Sequence, residues 1–208
     1  NLTTGGTYYY KVTATDNTNR STAKTGNSQT GTFGTVTISA SSPDSWTTSK
    51  TITVTGVTTG ANLQYQLGST TGTWTNITSG GTFSLTSNTT IYARLYDGKN
   101  ATSPVSLTIT KIDTAVPTVT LGTLTKTTKS ITIPITATDS QSKIKSVACV
   151  YGTSTSYGST GTVTGSESAG YSCTISSLSA GTAYYYKVTA TDNTNRTTSK
   201  TGSATTTS

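Results

Sequence analysis

Apolar and polar residues alternate along much of this chain, and that pattern sets its elements. Tyr184, Tyr186, Val188 and Ala190 share one parity, and Tyr185, Lys187 and Thr189 share the other. Alternate side chains of a strand leave on opposite faces, so this stretch predicts a half-buried strand with its lysine in water. Thr51-Ile-Thr-Val-Thr55 and Thr118-Val-Thr-Leu121 repeat the pattern. Strands are expected over 7–15 and 21–32, then at 35–39, 50–57, 62–67, 81–85, 89–96 and 105–111, with a hairpin around 73–77. A further set falls at 117–124, 129–138, 143–151, 170–176, 183–191 and 197–206, with a Gly/Ser/Thr-rich hairpin across 152–168. Pro134 cannot donate to a ladder and predicts an edge position or a bulge in its strand. Asp192-Asn-Thr-Asn195 is turn chemistry, because Asx side chains bond local backbone and tolerate positive φ.

The chain also repeats itself. Tyr8 to Arg20 recurs as Tyr184 to Arg196 without a change, at an offset of 176 residues, and Leu2 precedes the first copy as Leu178 precedes the second. That period is too long for one ordinary domain and suits two small β-sandwiches. The expected organisation is an all-β linear array: residues 1–33 as the last two strands (F and G) of one domain, 34–112 as a second sandwich, and 113–208 as a complete third. Residues 1–33 alone cannot bury Tyr8, Tyr10 and Val12, so their partner strands are expected from sequence upstream or from strand donation by another chain.

The spacing Leu178-x-x-Gly181-x-x-Tyr184-x-Tyr186-x-Val188-x-Ala190 resembles strand F of fibronectin type III domains. The resemblance places Tyr184, and Tyr8 in the first copy, at the tyrosine corner, with the ring inside and the hydroxyl bonded to nearby backbone. It covers 113–208 and part of 1–33. The strand B tryptophan of that family is absent, and Ser130-Ile-Thr-Ile-Pro-Ile135 stands in its place. Residues 88–100, with the connector Lys111-Ile-Asp-Thr-Ala-Val-Pro117, resemble bacterial Ig-like repeats of Gram-positive surface proteins. The resemblance implies tandem immunoglobulin-like and fibronectin-like sandwiches at an extracellular bacterial surface, with neighbouring repeats as partners. The match is to the sandwich, not to any animal matrix activity.

Composition sharpens this reading. Thr (57) and Ser (29) make up 86 of 208 residues, but the threonines alternate with Val, Ile, Leu and Tyr, which favours exposed strand faces over a mucin-like stalk. No apolar run approaches the roughly 18 residues of a membrane helix. Cys149 and Cys173 predict either a disulfide or two buried thiols. A disulfide would close a loop of about 25 residues, worth roughly 3 kcal/mol. Parity points Cys173 inward, but leaves the face of Cys149 open. The net charge of +7 is spread over scattered lysines with only three arginines, which fits a solvated basic surface or attraction to anionic wall polymers rather than nucleic acid.

Candidate chemistry is sparse. With no histidine there is no Ser-His-Asp or Cys-His arrangement and no His-ligated metal. The seven acids are isolated along the sequence, most of them in expected turns, so an enzyme is not indicated and no cofactor is required. Asp113 with Asp139 or Asp192 and turn carbonyls is a calcium candidate between domains; the alternative is that these aspartates are Asx turns. A Lys–Asn isopeptide bond would need an inward lysine, whereas Lys11 and Lys187 point outward by parity and Glu167 lies in a loop. Trp46 and Trp74 are core or edge packing or else, with exposed Tyr9 and Tyr185, platforms that stack on surface glycans. Six Asn-x-Ser/Thr sequons are expected by chance in so Thr-rich a chain. The functions compatible with these features are a structural stalk segment supporting adhesion, a binding or spacer module of a secreted polysaccharide-degrading enzyme, and a fibre subunit joined by strand complementation.

Overall fold

The computed structural model describes residues 2, 6–29, 33–56 and 60–208, and every helix or strand among them is a strand. The chain divides into two units, Asn1–Ser41 with Thr51–Thr110, and Ser42–Lys50 with Lys111–Ser208.

Apart from Lys50 at the start of β4, the strands of the first unit are β1 (Thr7–Thr15), β2 (Ser21–Gln29), β3 (Val36–Ala40), β4 (Lys50–Gly56), β5 (Asn62–Leu67), β6 (Thr75–Ile77), β7 (Gly81–Leu85), β8 (Thr89–Tyr96) and β9 (Val105–Ile109). β1 and β2 form a two-stranded hairpin of their own, while β3-β4-β7 and β6-β5-β8-β9 form two further sheets. Alternation in β4 buries Ile52 and Val54, and alternation in β8 buries Ile91, Ala93 and Leu95. Leu63, Leu85 and Ile109 are also buried in this unit.

The second unit holds β10 (Thr118–Leu121), β11 (Thr125–Lys126), β12 (Ile131–Thr138), β13 (Ile144–Gly152), β14 (Ser159–Thr160), β15 (Thr162–Ser166), β16 (Gly170–Ile175), β17 (Ala183–Asp192) and β18 (Thr197–Thr205). One sheet runs β10-β12-β16-β15, with β11 also on β12, and the other runs β14-β13-β17-β18. This is the strand order of an immunoglobulin-type sandwich with one extra short strand beside β13. The core is a single cluster in which Ile131, Ile133, Ile135 and Ile175 of the first sheet meet Tyr184, Tyr186, Val188 and Ala190 of the second. Each fully buried isoleucine contributes about 1.5–3 kcal/mol of hydrophobic stabilisation. Cys149 on β13 and Cys173 on β16 are disulfide-bonded across this core, with Cα atoms 6.3 Å apart, and both are fully buried.

Pro134 is not at an edge, and the irregularity expected as the alternative is found in the strand beside it. β12 is an interior strand, flanked by β10 and β11 on one side and β16 on the other. The Pro134 carbonyl accepts from Gly122 N at 2.8 Å, so its ring nitrogen faces the same way. There the neighbouring strand is interrupted: Leu121 pairs with Ile135 and Thr125 with Thr132, leaving three residues against two. The missing donor thus falls at a gap in the partner, and the ladder to β16 stays whole.

Tyr184 Oη accepts from Ser179 N at 3.0 Å, and the ring is 7% exposed. This is tyrosine-corner geometry. Tyr8, at the equivalent position of β1, is half-buried.

Candidate metal centre

Three aspartates scattered along the sequence converge in the second unit. Asp113 lies in the segment leading to β10, Asp139 follows β12, and Asp192 ends β17. One carboxylate oxygen from each comes within 4.8 Å of the others, and all three residues are buried, at 1%, 4% and 0% exposure. A β-bulge at Lys145 sits beside this point, because Ile144 pairs with Asp192 and Ser146 already pairs with Thr191.

Local backbone fixes each carboxylate. Asp113 N donates to Thr47 O at 2.9 Å, and Asp113 Oδ1 accepts from Ala115 N at 2.8 Å. Asp139 Oδ1 accepts from the amides of Gln141, Ser142 and Lys143 and from Ser142 Oγ at 2.8–3.3 Å. Asp192 Oδ1 accepts from Thr194 N, Thr194 Oγ1 and Arg196 N at 2.7–2.9 Å. Ser142 joins two of them, since its amide also reaches Asp113 Oδ2 at 3.2 Å. All three acids are therefore Asx turns, and the fold also brings them together. The structure places them within one unit, so the cluster needs no neighbouring domain.

Glu167 braces the loop beneath the cluster. It sits in the turn between β15 and β16 and accepts from Asp139 N at 2.9 Å and Ile144 N at 3.1 Å. Burial pushes its carboxyl up, but those two amides and the Lys143 ammonium outweigh it and hold the group below the ordinary value of 4.5. Asp113 behaves alike. Burial raises it, and hydrogen bonds from Ser142 and the Ala115 amide bring it below 3.8. Asn193 Nδ2 donates to Ser142 O at 2.7 Å, pinning the Asp192 turn to the same loop. Glu167 and the link from Ser142 to Asp113 carry no sequence signal, because those partners lie 23–29 residues away.

The other candidate residues stand apart from this cluster. The Arg94 guanidinium lies 4.0 Å from the Trp74 ring centroid and covers that face of the indole. Trp46 is half-buried, while Tyr9 and Tyr185 are 80% and 38% exposed. Lys50, which parity with Ile52 and Val54 already places on the inward face, is 1% exposed. Its ammonium donates to the carbonyls of Ser42 and Pro43 at 2.8 and 2.9 Å.

No family model and no curated protein matches this chain. Among solved structures it is similar to domains A168–A170 of titin, at 15% identity and a TM-score of 0.48, covering 96% of this chain and 75% of that one. It is also similar to a two-domain fibronectin type III segment of chicken tenascin, at 16% identity and a TM-score of 0.36, covering 84% and 99% of the two chains. The three-domain FN1–FN3 segment of chicken CNTN1 gives 16% identity and a TM-score of 0.38, covering 100% and 78%. These neighbours are immunoglobulin-like and fibronectin type III domains. The all-β assignment of this chain rests on its own strand pairing.

Proposed function

We propose that this chain is a non-catalytic spacer segment of a long repetitive extracellular protein, projecting from a bacterial surface or built into a fibre, with copies of the same repeat as neighbours. One observation carries the reading. The β1–β2 and β17–β18 hairpins are one hairpin written twice: all nine Cα pairs of the first reappear in the second at an offset of 176 residues. Their turns agree as well, with Asn19 and Asn195 at φ 62° and 65° and each aspartate capped from two and four residues on. A disulfide in the second unit favours an oxidising compartment. The test is the native polypeptide's intact mass together with electron microscopy. The expected outcome is a mass many times 21.4 kDa and an axial repeat of roughly 60–80 Å per two domains. A native mass of 21.4 kDa with no periodicity would overturn it.

A second reading, assembly by strand complementation, is favoured by the face of the first hairpin. Tyr10 and Val12 are 56% and 64% exposed, while their counterparts Tyr186 and Val188 are 6% and 0% exposed under the opposing sheet. Exposed apolar residues in that register suit strands supplied by another copy. Sedimentation over a concentration series separates the two readings. Assembly that Val12→Lys abolishes supports complementation, and a monomer at every concentration removes it.

A further inference from the structure

We propose that Asp113, Asp139 and Asp192 bind one calcium ion. This stands apart from the spacer reading and does not depend on it.

The first argument is charge. Three carboxylates buried to 4% exposure or less carry a desolvation cost that proteins offset by pairing or by coordinating a metal. No cationic side chain pairs with them; among the described residues the one ion pair is Arg20 with Asp16.

The second is an atom without a partner. Asp192 Oδ2 is buried and accepts no hydrogen bond, although Oδ1 of the same carboxylate accepts three. The repeat supplies an internal control. In the identical turn of the first hairpin, Asp16 Oδ2 takes Arg20 Nε at 3.0 Å. Arg196 stands at the same spacing from Asp192, yet no such pair forms. Local sequence cannot account for the difference, because Tyr8–Arg20 and Tyr184–Arg196 are identical. What differs is the setting: Asp192 is 0% exposed and clustered with Asp113 and Asp139, whereas the Asp16 side chain is 45% exposed.

The third is chemistry and span. The donors are hard oxygens only, with no histidine in the chain and both cysteines in the disulfide, which excludes a zinc-type ligand set. Calcium–oxygen distances of about 2.3–2.6 Å place opposite ligands roughly 5 Å apart, against about 4 Å for magnesium. Ligand atoms that all lie within 4.8 Å of one another can reach a single ion of that size, and three carboxylates held by turns suit calcium's flexible oxygen shell better than magnesium's strict octahedron. Each carboxylate is already oriented by backbone amides, so little ordering remains to be done on binding.

The test uses the full chain, stripped with EDTA and then titrated with calcium chloride, with metal analysis and thermal melting as readouts. The expected result is one calcium per chain and a rise in Tm of the second unit of at least about 5 °C at saturation. Asp192→Asn keeps an oxygen for the Thr194 and Arg196 amides but removes the charge. It should weaken calcium binding at least tenfold while melting in EDTA at or above the wild-type temperature. Asp16→Asn should bind calcium as wild type does. No stoichiometric calcium on the wild-type chain at millimolar concentration would overturn the proposal, whatever the variants do. So would an undiminished calcium response in Asp192→Asn, or an equal response to magnesium at equal concentration.

Discussion

The ring of Tyr186 lies over Gly202, its partner across β17 and β18, so closely that a Cβ at Gly202 would overlap the phenol. Tyr10 and Gly26 repeat the arrangement in the first hairpin, where a Cβ would come within 2.7 Å of the tyrosine oxygen. The difference between the two pairs lies in what surrounds the tyrosine. Tyr186 is 6% exposed and held in the core, whereas Tyr10 is 56% exposed and free to swing aside. Gly202→Ala should therefore destabilise the second unit by about 1–3 kcal/mol, as overpacking does. Gly26→Ala should cost less than about 0.5 kcal/mol, as a surface change does. Urea unfolding of both variants checks the contrast, and equal losses would refute it.

Tyr184→Phe removes the acceptor of the Ser179 amide and leaves the packing of the ring intact. Ser179 is exposed, so its amide can turn to water, and the expected cost is that of one net hydrogen bond, about 0.5–1.5 kcal/mol. The expected fall in Tm is several degrees, read by calorimetry on the second transition.

Replacing Cys149 and Cys173 together by alanine should cost the second unit about 3 kcal/mol, from a loop whose ends lie 24 residues apart. Gly161→Ala probes the same bond from outside. Its new methyl would stand 2.7 Å from Cys173 Sγ and 3.4 Å from Cys149 Sγ. That variant should lose stability in the oxidised protein and lose much less once the cysteines are replaced.

Lys50 supplies a pH signature. Burial, then repulsion by Lys111, holds its ammonium below the ordinary 10.5, with Asp44 pulling the other way. Between the folded value and 10.5 the unfolded chain binds the proton more strongly, so stability contributed at this site rises with pH through that window and levels off above it. Lys50→Met lacks the titration. The wild type should gain on the variant as pH climbs towards 10.5, measured as the difference in urea midpoints, and a constant difference would refute the assignment.

Parity alone located most strands, because β4, β8, β12 and β17 each keep an apolar face, broken only by Lys50 at the start of β4 and Asp192 at the end of β17. It failed for Cys149, where Val147, Ala148 and Val150 made both faces look apolar; only the position of β13 against β16 separates the buried cysteine from the exposed Ala148. The aspartates show the same limit. Each announced a turn in the sequence, but their meeting depends on which strand ends the topology brings to one place, and no periodicity encodes that. Trp74 is similar: the arginine that covers it comes from β8, two strands over from β6.

The disulfide also bears on extension under load. If the ends of the chain are drawn apart, the segment between Cys149 and Cys173 cannot lengthen, even after both sheets of its unit have come apart. At about 3.3–3.6 Å per extended residue, the 24-residue separation keeps about 80 Å of contour in reserve. The first unit contains no cysteine and yields its whole length. A stretched molecule would thus show two unequal steps, the shorter one lengthening only after a reductant is added.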